Sequence, residues 1–304
     1  MHAGPVPRTG GIAVLTALAC AAALASIIES VPAAWTWVGA ALLLVGSVSY
    51  LDDRGEVRPQ YRLAAHLLAA VLLLVGGISW SRMELPGLVW VMPAMLAYVL
   101  TMVQVVWMIN LYNFMDGMDG FAGGMTVFGF GALAVLGWQG EDPAFAAFNA
   151  AIAAAAGGFL VSNFPPARIF LGDLGSATLG LLAASMGLIG SQRGLFPLWV
   201  AWLAFSPFIV DATWTLLRRL AKGEPVWQAH RSHHYQRLVL AGWSHKKTVL
   251  RSYLLMAACA ATAVAAPGMS VRDQQWLLGA WSIIYVLVAF KARLVERGAR
   301  LTSP

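Results

Sequence analysis

The sequence predicts an all-α fold, a polytopic membrane bundle of about ten transmembrane helices. Three observations carry that prediction. Hydrophobic residues make up 59% of the 304 and charged residues only 11%, against roughly 45–50% and ~25% in soluble domains. Apolar runs close to the ~20 residues needed to cross hydrocarbon recur along the whole chain. The basic residues gather in alternate connections between those runs, as positive-inside topology requires.

The runs follow one another with a breaker between each pair. Residues 11–28 come first, opened by the Pro/Gly-rich GPVPRTGG, and read as a span rather than a cleaved leader because no small-residue cleavage site precedes a soluble domain. ESVPAA separates them from 33–51, and DDRGEVRPQ leads to 63–80. MELPG precedes the charge-free 86–109, and NLYNFMDGMDG leads to 121–138. QGEDP opens 144–162, NFPPARIFLGD opens 174–190 and SQRG opens 195–214. The one long polar stretch, 218–247, precedes 248–266, and APGMSVRD precedes 274–290. No tandem repeat or soluble domain interrupts them, so residues 1–304 read as one integral membrane domain.

Ten crossings place every Lys and Arg except Arg82, Arg193 and Arg272 on one side, out of 20. That side is the cytoplasm. The same map, built without the acids, puts Asp52, Asp53, Asp116, Asp119 and Asp173 there too, with the histidines of 230–234. The net charge of +6 is thus explained by topology, and no nucleic-acid partner is expected. Cys20 and Cys259 each lie in an apolar run and read as buried free thiols, with no disulfide or metal-binding spacing.

Four connections carry chemistry: 52–62, 110–120, 163–176 and 218–247. Asp52 and Asp53 are adjacent carboxylates that repel unless a metal or a base such as Arg54 or Arg62 compensates them. About 100° apart on a helix, the two should do different jobs. Asn110, Asn113, Asp116 and Asp119 recur every third residue, and Gly117 and Gly120 let that helix unwind into a loop of convergent oxygens. Pro165 and Pro166 stop one helix, and Gly172, Asp173, Gly175 and Ser176 open the next. A glycine-rich helix start favours phosphate, and Mg²⁺ (or Mn²⁺ in its place) is the natural bridge between phosphate and Asp173. His230, His233 and His234, with Arg231 and Arg237, suit a diphosphate better than zinc, since no Cys accompanies them. This inventory suits phosphoryl transfer between a lipid phosphate and a nucleotide diphosphate.

PVPRTGG, LDDRGEVRPQYR, NLYNFMDGMDG, FLGDLGSATLG and HRSHH occur in an order that resembles the polyprenyl-phosphate N-acetylhexosamine-1-phosphate transferases. That superfamily includes phospho-N-acetylmuramoyl-pentapeptide transferase and the enzymes initiating O-antigen synthesis. The spaced His230 and His233 look more like the O-antigen-initiating branch. Members carry one more helix before PVPRTGG, so eleven spans would be their count against ten here. The resemblance implies Asp52 and Asp53 as the essential pair, one of them acting on the lipid phosphate, and Asp173 as the Mg²⁺ ligand with Asn113 as its second. It implies Asn110, Asp116 and Asp119 around the nucleotide-sugar, Phe170 stacking on uracil and Arg62 near the phosphates. His230, His233 and His234 would contact diphosphate or sugar.

The implied reaction transfers N-acetylhexosamine-1-phosphate from a UDP-sugar to undecaprenyl phosphate, releasing UMP, at the cytoplasmic face of a bacterial inner membrane. The alternative is a secondary transporter, which places ionisable residues at the bilayer midplane on broken helices; Asp211 comes nearest to that. A CDP-alcohol type transferase needs a four-aspartate spacing that is not found. The sugar is not readable, and oligomeric state stays open between monomer and homodimer.

Overall fold

The computed structural model of the chain describes residues 6–28, 33–225 and 232–302. Among them run α1 (Gly10–Ile28), α2 (Ala33–Arg54), α3 (Pro59–Val75), α4 (Ala94–Met115), α5 (Phe121–Gln139) and α6 (Pro143–Asn163). There follow α7 (Gly172–Gln192), α8 (Leu198–Ala204), α9 (Ser206–Ala221), α10 (His234–Leu240), α11 (His245–Ala265) and α12 (Val271–Thr302). Each predicted run falls on one helix, or for 195–214 on the α8–α9 pair. Among the described residues seven helices are long and apolar enough to cross a membrane, and the bent pair would make an eighth. The apolar stretch Gly10–Ala23 of α1 and the helix α3 complete the ten at shorter length.

Two boundaries differ from expectation. The run 86–109 begins as a hairpin, with β1 (Arg82–Leu85) antiparallel to β2 (Leu88–Val91) and Met83 opposite Trp90. Pro86 and Gly87 make its two-residue turn, Gly87 at φ +84°, so the helix starts only at Ala94. The run 195–214 is bent by 86° between α8 and α9. Pro207 lacks the N–H that would reach the Leu203 carbonyl, and the Ser206 hydroxyl donates to that carbonyl instead, at 2.7 Å.

The bundle is organised around α7, which is buried from Leu174 to Gly190. Small residues allow this. At the crossing of α1 and α7, a Cβ on Gly11 would stand 2.4 Å from the Gly175 nitrogen. Gly11→Ala is therefore expected to force the two helices apart and lower stability by about 1–3 kcal/mol, the usual cost of overpacking. A thermal melt in detergent checks this, and an unchanged midpoint would contradict the crossing. Cys259 is buried as expected, but Cys20 is exposed on α1, because that helix buries only the stripe carrying Val14 and Leu18.

Candidate active site

The charged ends of α2, α3, α4 and α7 meet at one end of the bundle. Asp52 and Asp53 occupy the last turn of α2 and point in different directions, as adjacent helical residues must. Asp52 turns toward α3: its Oδ2 lies 2.7 Å from Arg62 Nη1, and its Oδ1 accepts the Val57 N–H at 2.9 Å. Asp53 turns toward α7, where its two oxygens accept the N–H groups of Asp173 and Leu174, each at 2.9 Å. The N-cap position of α7 is Leu171, whose side chain has no acceptor to offer, so a carboxylate from another helix caps it. Gly172, at φ +78°, leaves the room: a Cβ there would sit 2.8 Å from Asp53 Oδ2.

The helix α4 ends at Met115 and unwinds through 116–120, with Gly120 at φ +74°. On its last turn, Asn113 Nδ2 donates to Asp173 Oδ1 at 2.8 Å and to Ser176 Oγ at 3.2 Å. Arg62 closes the group, donating to Asn113 Oδ1 at 3.4 Å and lying 3.7 Å from Asp173 Oδ2. Asp52, Asp53, Arg62, Asn113 and Asp173 are thus one connected cluster drawn from four helices.

Beside it lies a cavity of about 360 Å³ lined by Arg8, Asp53, Asp116, Phe170, Asp173 and His245, among others. Burial, and then the negative charges of Asp173 and Asp53, hold the Asp116 carboxyl well above the ordinary range, with Arg8 opposing. Residues 7–11 reach this cavity by backbone pairing: Phe170 N–H donates to the Pro7 carbonyl at 2.8 Å, and Gly10 and Gly11 donate back to Phe170 and Leu171 at 2.9 and 2.8 Å.

Asp119 lines the same cavity but is also a latch. Its Oδ2 accepts the Ala167 N–H at 3.0 Å and lies 3.7 Å from His245 Nδ1. Asn163 latches the same two loops, accepting from Gly120 N–H and donating to the Ile169 carbonyl, both at 2.8 Å.

Some expected residues are not brought here. Asn110 donates to the Val106 carbonyl at 2.7 Å and faces His66 Nδ1 at 3.3 Å, a turn away from the cluster and toward α3. His233 and His234 gather on Asp211 of α9, and neither lines the acid cavity. His230 lies outside the described residues. Conversely, Arg8, Asn163 and His245 were not singled out from sequence as site residues, although they lie in segments that were, because each becomes notable only by whom it meets.

The donor set can be tested against Mg²⁺. Among the described residues no three His, Cys, Asp or Glu side chains form a ready metal cage. Mg²⁺ needs none: it is held by one or two carboxylates, with phosphate oxygens and water completing the shell. Asp173 fits that role, its side chain 37% exposed amid carboxylates whose mutual repulsion a cation would relieve. Asn113 adjoins it, although its N–H rather than its oxygen faces Asp173.

A family model described as glycosyl transferase family 4 matches residues 35–191. The chain is 27% identical to the "Probable undecaprenyl-phosphate N-acetylglucosaminyl 1-phosphate transferase" of Bacillus subtilis, over 97% of this chain and 81% of that protein. It is 29% identical to the decaprenyl-phosphate N-acetylglucosaminephosphotransferase of Mycolicibacterium smegmatis, over 98% and 80%. It is 30% identical to the phospho-N-acetylmuramoyl-pentapeptide-transferase of Heliobacterium modesticaldum, over 68% of each.

Proposed function

The chain belongs to glycosyl transferase family 4, and from that premise we propose that it transfers N-acetylhexosamine-1-phosphate from a UDP-sugar to undecaprenyl phosphate. The products are undecaprenyl-diphospho-sugar and UMP, the first step of an O-antigen-type cell-envelope polysaccharide, made at the cytoplasmic face of a bacterial inner membrane. The relatives' printed names support the lipid phosphate and the amino sugar. The observation that carries the reading is the connected cluster of Asp52, Asp53, Arg62, Asn113 and Asp173 beside the cavity holding Arg8, Asp116 and Phe170.

In this reading the lipid phosphate oxygen attacks the sugar-bearing phosphorus. The new P–O bond forms as the bond to the bridging oxygen breaks, and UMP leaves with that oxygen. Such transfer is catalysed mostly by positioning and charge neutralisation. Arg8 and Arg62 supply fixed positive charge to the phosphates. Asp52 holds Arg62 in place, Asp53 holds the start of α7, and Asp119 and Asn163 keep the cavity loops together. Phe170 offers a ring face to the uracil. Asp173, with Asn113 beside it, would hold Mg²⁺, which when bound supplies charge neutralisation at the diphosphate.

The test is UMP release by purified protein given undecaprenyl phosphate, Mg²⁺ and a panel of UDP-N-acetylhexosamines and their deoxy or amino relatives. UMP should appear in step with a lipid-linked sugar, require the lipid phosphate, stop on chelation and resume with added Mg²⁺. Failure to release UMP from any member of the panel would refute the reading.

A further inference from the structure

Asp211 sits on α9 with its side chain 11% exposed, and the acid cavity does not use it. A carboxylate so buried is costly unless its oxygens are filled. Most of what fills them comes from one place, the start of α10. The His234 backbone N–H donates to both oxygens, at 3.0 and 3.1 Å. His234 Nδ1 lies 3.0 Å from Oδ1, and His233 Nδ1 approaches the same oxygen at 3.5 Å without forming a hydrogen bond. Thr215, one turn along α9, adds a hydroxyl at 3.2 Å. Three hydrogen-bonding groups on one carboxylate leave little for an ion in transit, which is what a transporter would ask of this position.

The short helix so anchored is seated on the loop of the acid cavity. The Tyr235 hydroxyl donates to the Phe114 carbonyl at 3.2 Å, and its ring centre lies 4.7 Å from that of Phe121. Gly117 lets that hydroxyl in, since a Cβ there would stand 2.2 Å from it. The His233 ring runs within 28° of parallel to Phe114, at 6.4 Å. Arg237, on the other face of α10, is ion-paired with Glu296 of α12, so this basic residue is a strut.

We propose that Asp211 is a positioning residue: it sets the ring orientation of His234 and, by anchoring the start of α10 that carries Tyr235, fixes the 116–120 loop that carries Asp116 and Asp119. A carboxylate only accepts hydrogen bonds, so an Nδ1 bonded to it carries a proton, and the tautomer and facing of the ring follow from that bond. The activity readout for this role rests on the sugar-phosphate transfer reading; the geometry does not.

The experiment compares Asp211→Asn, Asp211→Ala, His234→Ala and the Asp211→Ala/His234→Ala double variant in lipid nanodiscs. Asp211→Ala should lower kcat about 10- to 100-fold, the range for losing an outer-shell partner that positions a site, with a smaller change in KM for the UDP-sugar. The double variant should be no slower than the slower single variant, because both changes break one unit. Asp211→Asn keeps the size but only one acceptor, so its melting midpoint should fall, by less than that of Asp211→Ala. Its imidazole ¹⁵N spectrum should nevertheless lose the Nδ1-protonated His234 signal. Losses that multiply in the double variant, or an unchanged His234 tautomer in Asp211→Asn, would overturn the proposal. If the wild type releases no UMP, the transfer reading fails, and the tautomer measurement still decides the role of Asp211.

Discussion

Asp173→Asn is expected to release no UMP above background while inserting and melting like the wild type. The substitution keeps the size of the side chain and leaves the backbone N–H bonded to Asp53. It removes a negative charge from a residue that lines the cavity and whose oxygens meet Asn113 and Arg62. Removing one preorganised charge-stabilising group costs about 10²–10³-fold in kcat, and loss of the residue read as the metal holder should exceed that. Stability should not fall. Asp173 is one of the negative charges that push the Asp116 carboxyl upward, so its neutralisation lets that carboxyl move back toward its ordinary range and relieves repulsion. The check is a UMP-release rate beside a thermal melt. Turnover within a few-fold of wild type would detach this cavity from the chemistry.

Asp53→Asn should behave differently, losing both activity and stability. Its carboxylate accepts two N–H groups at the start of α7, where the helix dipole also favours a negative charge. An amide has one acceptor oxygen, and its NH₂ would face the second donor. One charged hydrogen bond lost is worth about 1.5–3 kcal/mol, and the displaced α7 start would carry Asp173 away from Asn113. Asp53→Glu should not restore function, because the approach over Gly172 has no room for a longer arm. The pair of melts separates the two aspartates: Asp173→Asn near wild type, Asp53→Asn clearly lower. An Asp53→Asn protein that melts and turns over normally would show that the cross-helix cap is unimportant.

Much of the site was legible because some of its residues sit in segments whose composition is anomalous for a membrane chain. Carboxylates at 52, 53, 116, 119 and 173, in a chain only 11% charged, are expensive and therefore conspicuous. The unwinding at Gly117 and Gly120 and the helix start at Gly172 could be read from backbone chemistry alone. The division of labour between Asp52 and Asp53 was foreseen from helix geometry, but not its content, since which residue meets Arg62 and which meets α7 depends on how α2 sits against two neighbours. His233 and His234 show the limit most clearly. Their proximity in sequence to a basic loop suggested diphosphate contact, whereas their nearest anion is Asp211, on the preceding helix. Arg8 and His245 reach the cavity from segments more than a hundred residues apart from each other, and only the fold shows that they meet there.

The sequence by itself determined that this chain is a helical membrane bundle and where most of its helices lie. Those follow from transfer free energies and backbone sterics, which act residue by residue. Tertiary structure alone decided which acids share a cluster, that α7 is capped from α2, and that the paired histidines answer to Asp211. Those are hydrogen bonds between residues distant in the chain, and only the close crossings permitted by Gly11, Gly172 and Gly175 bring the partners within reach.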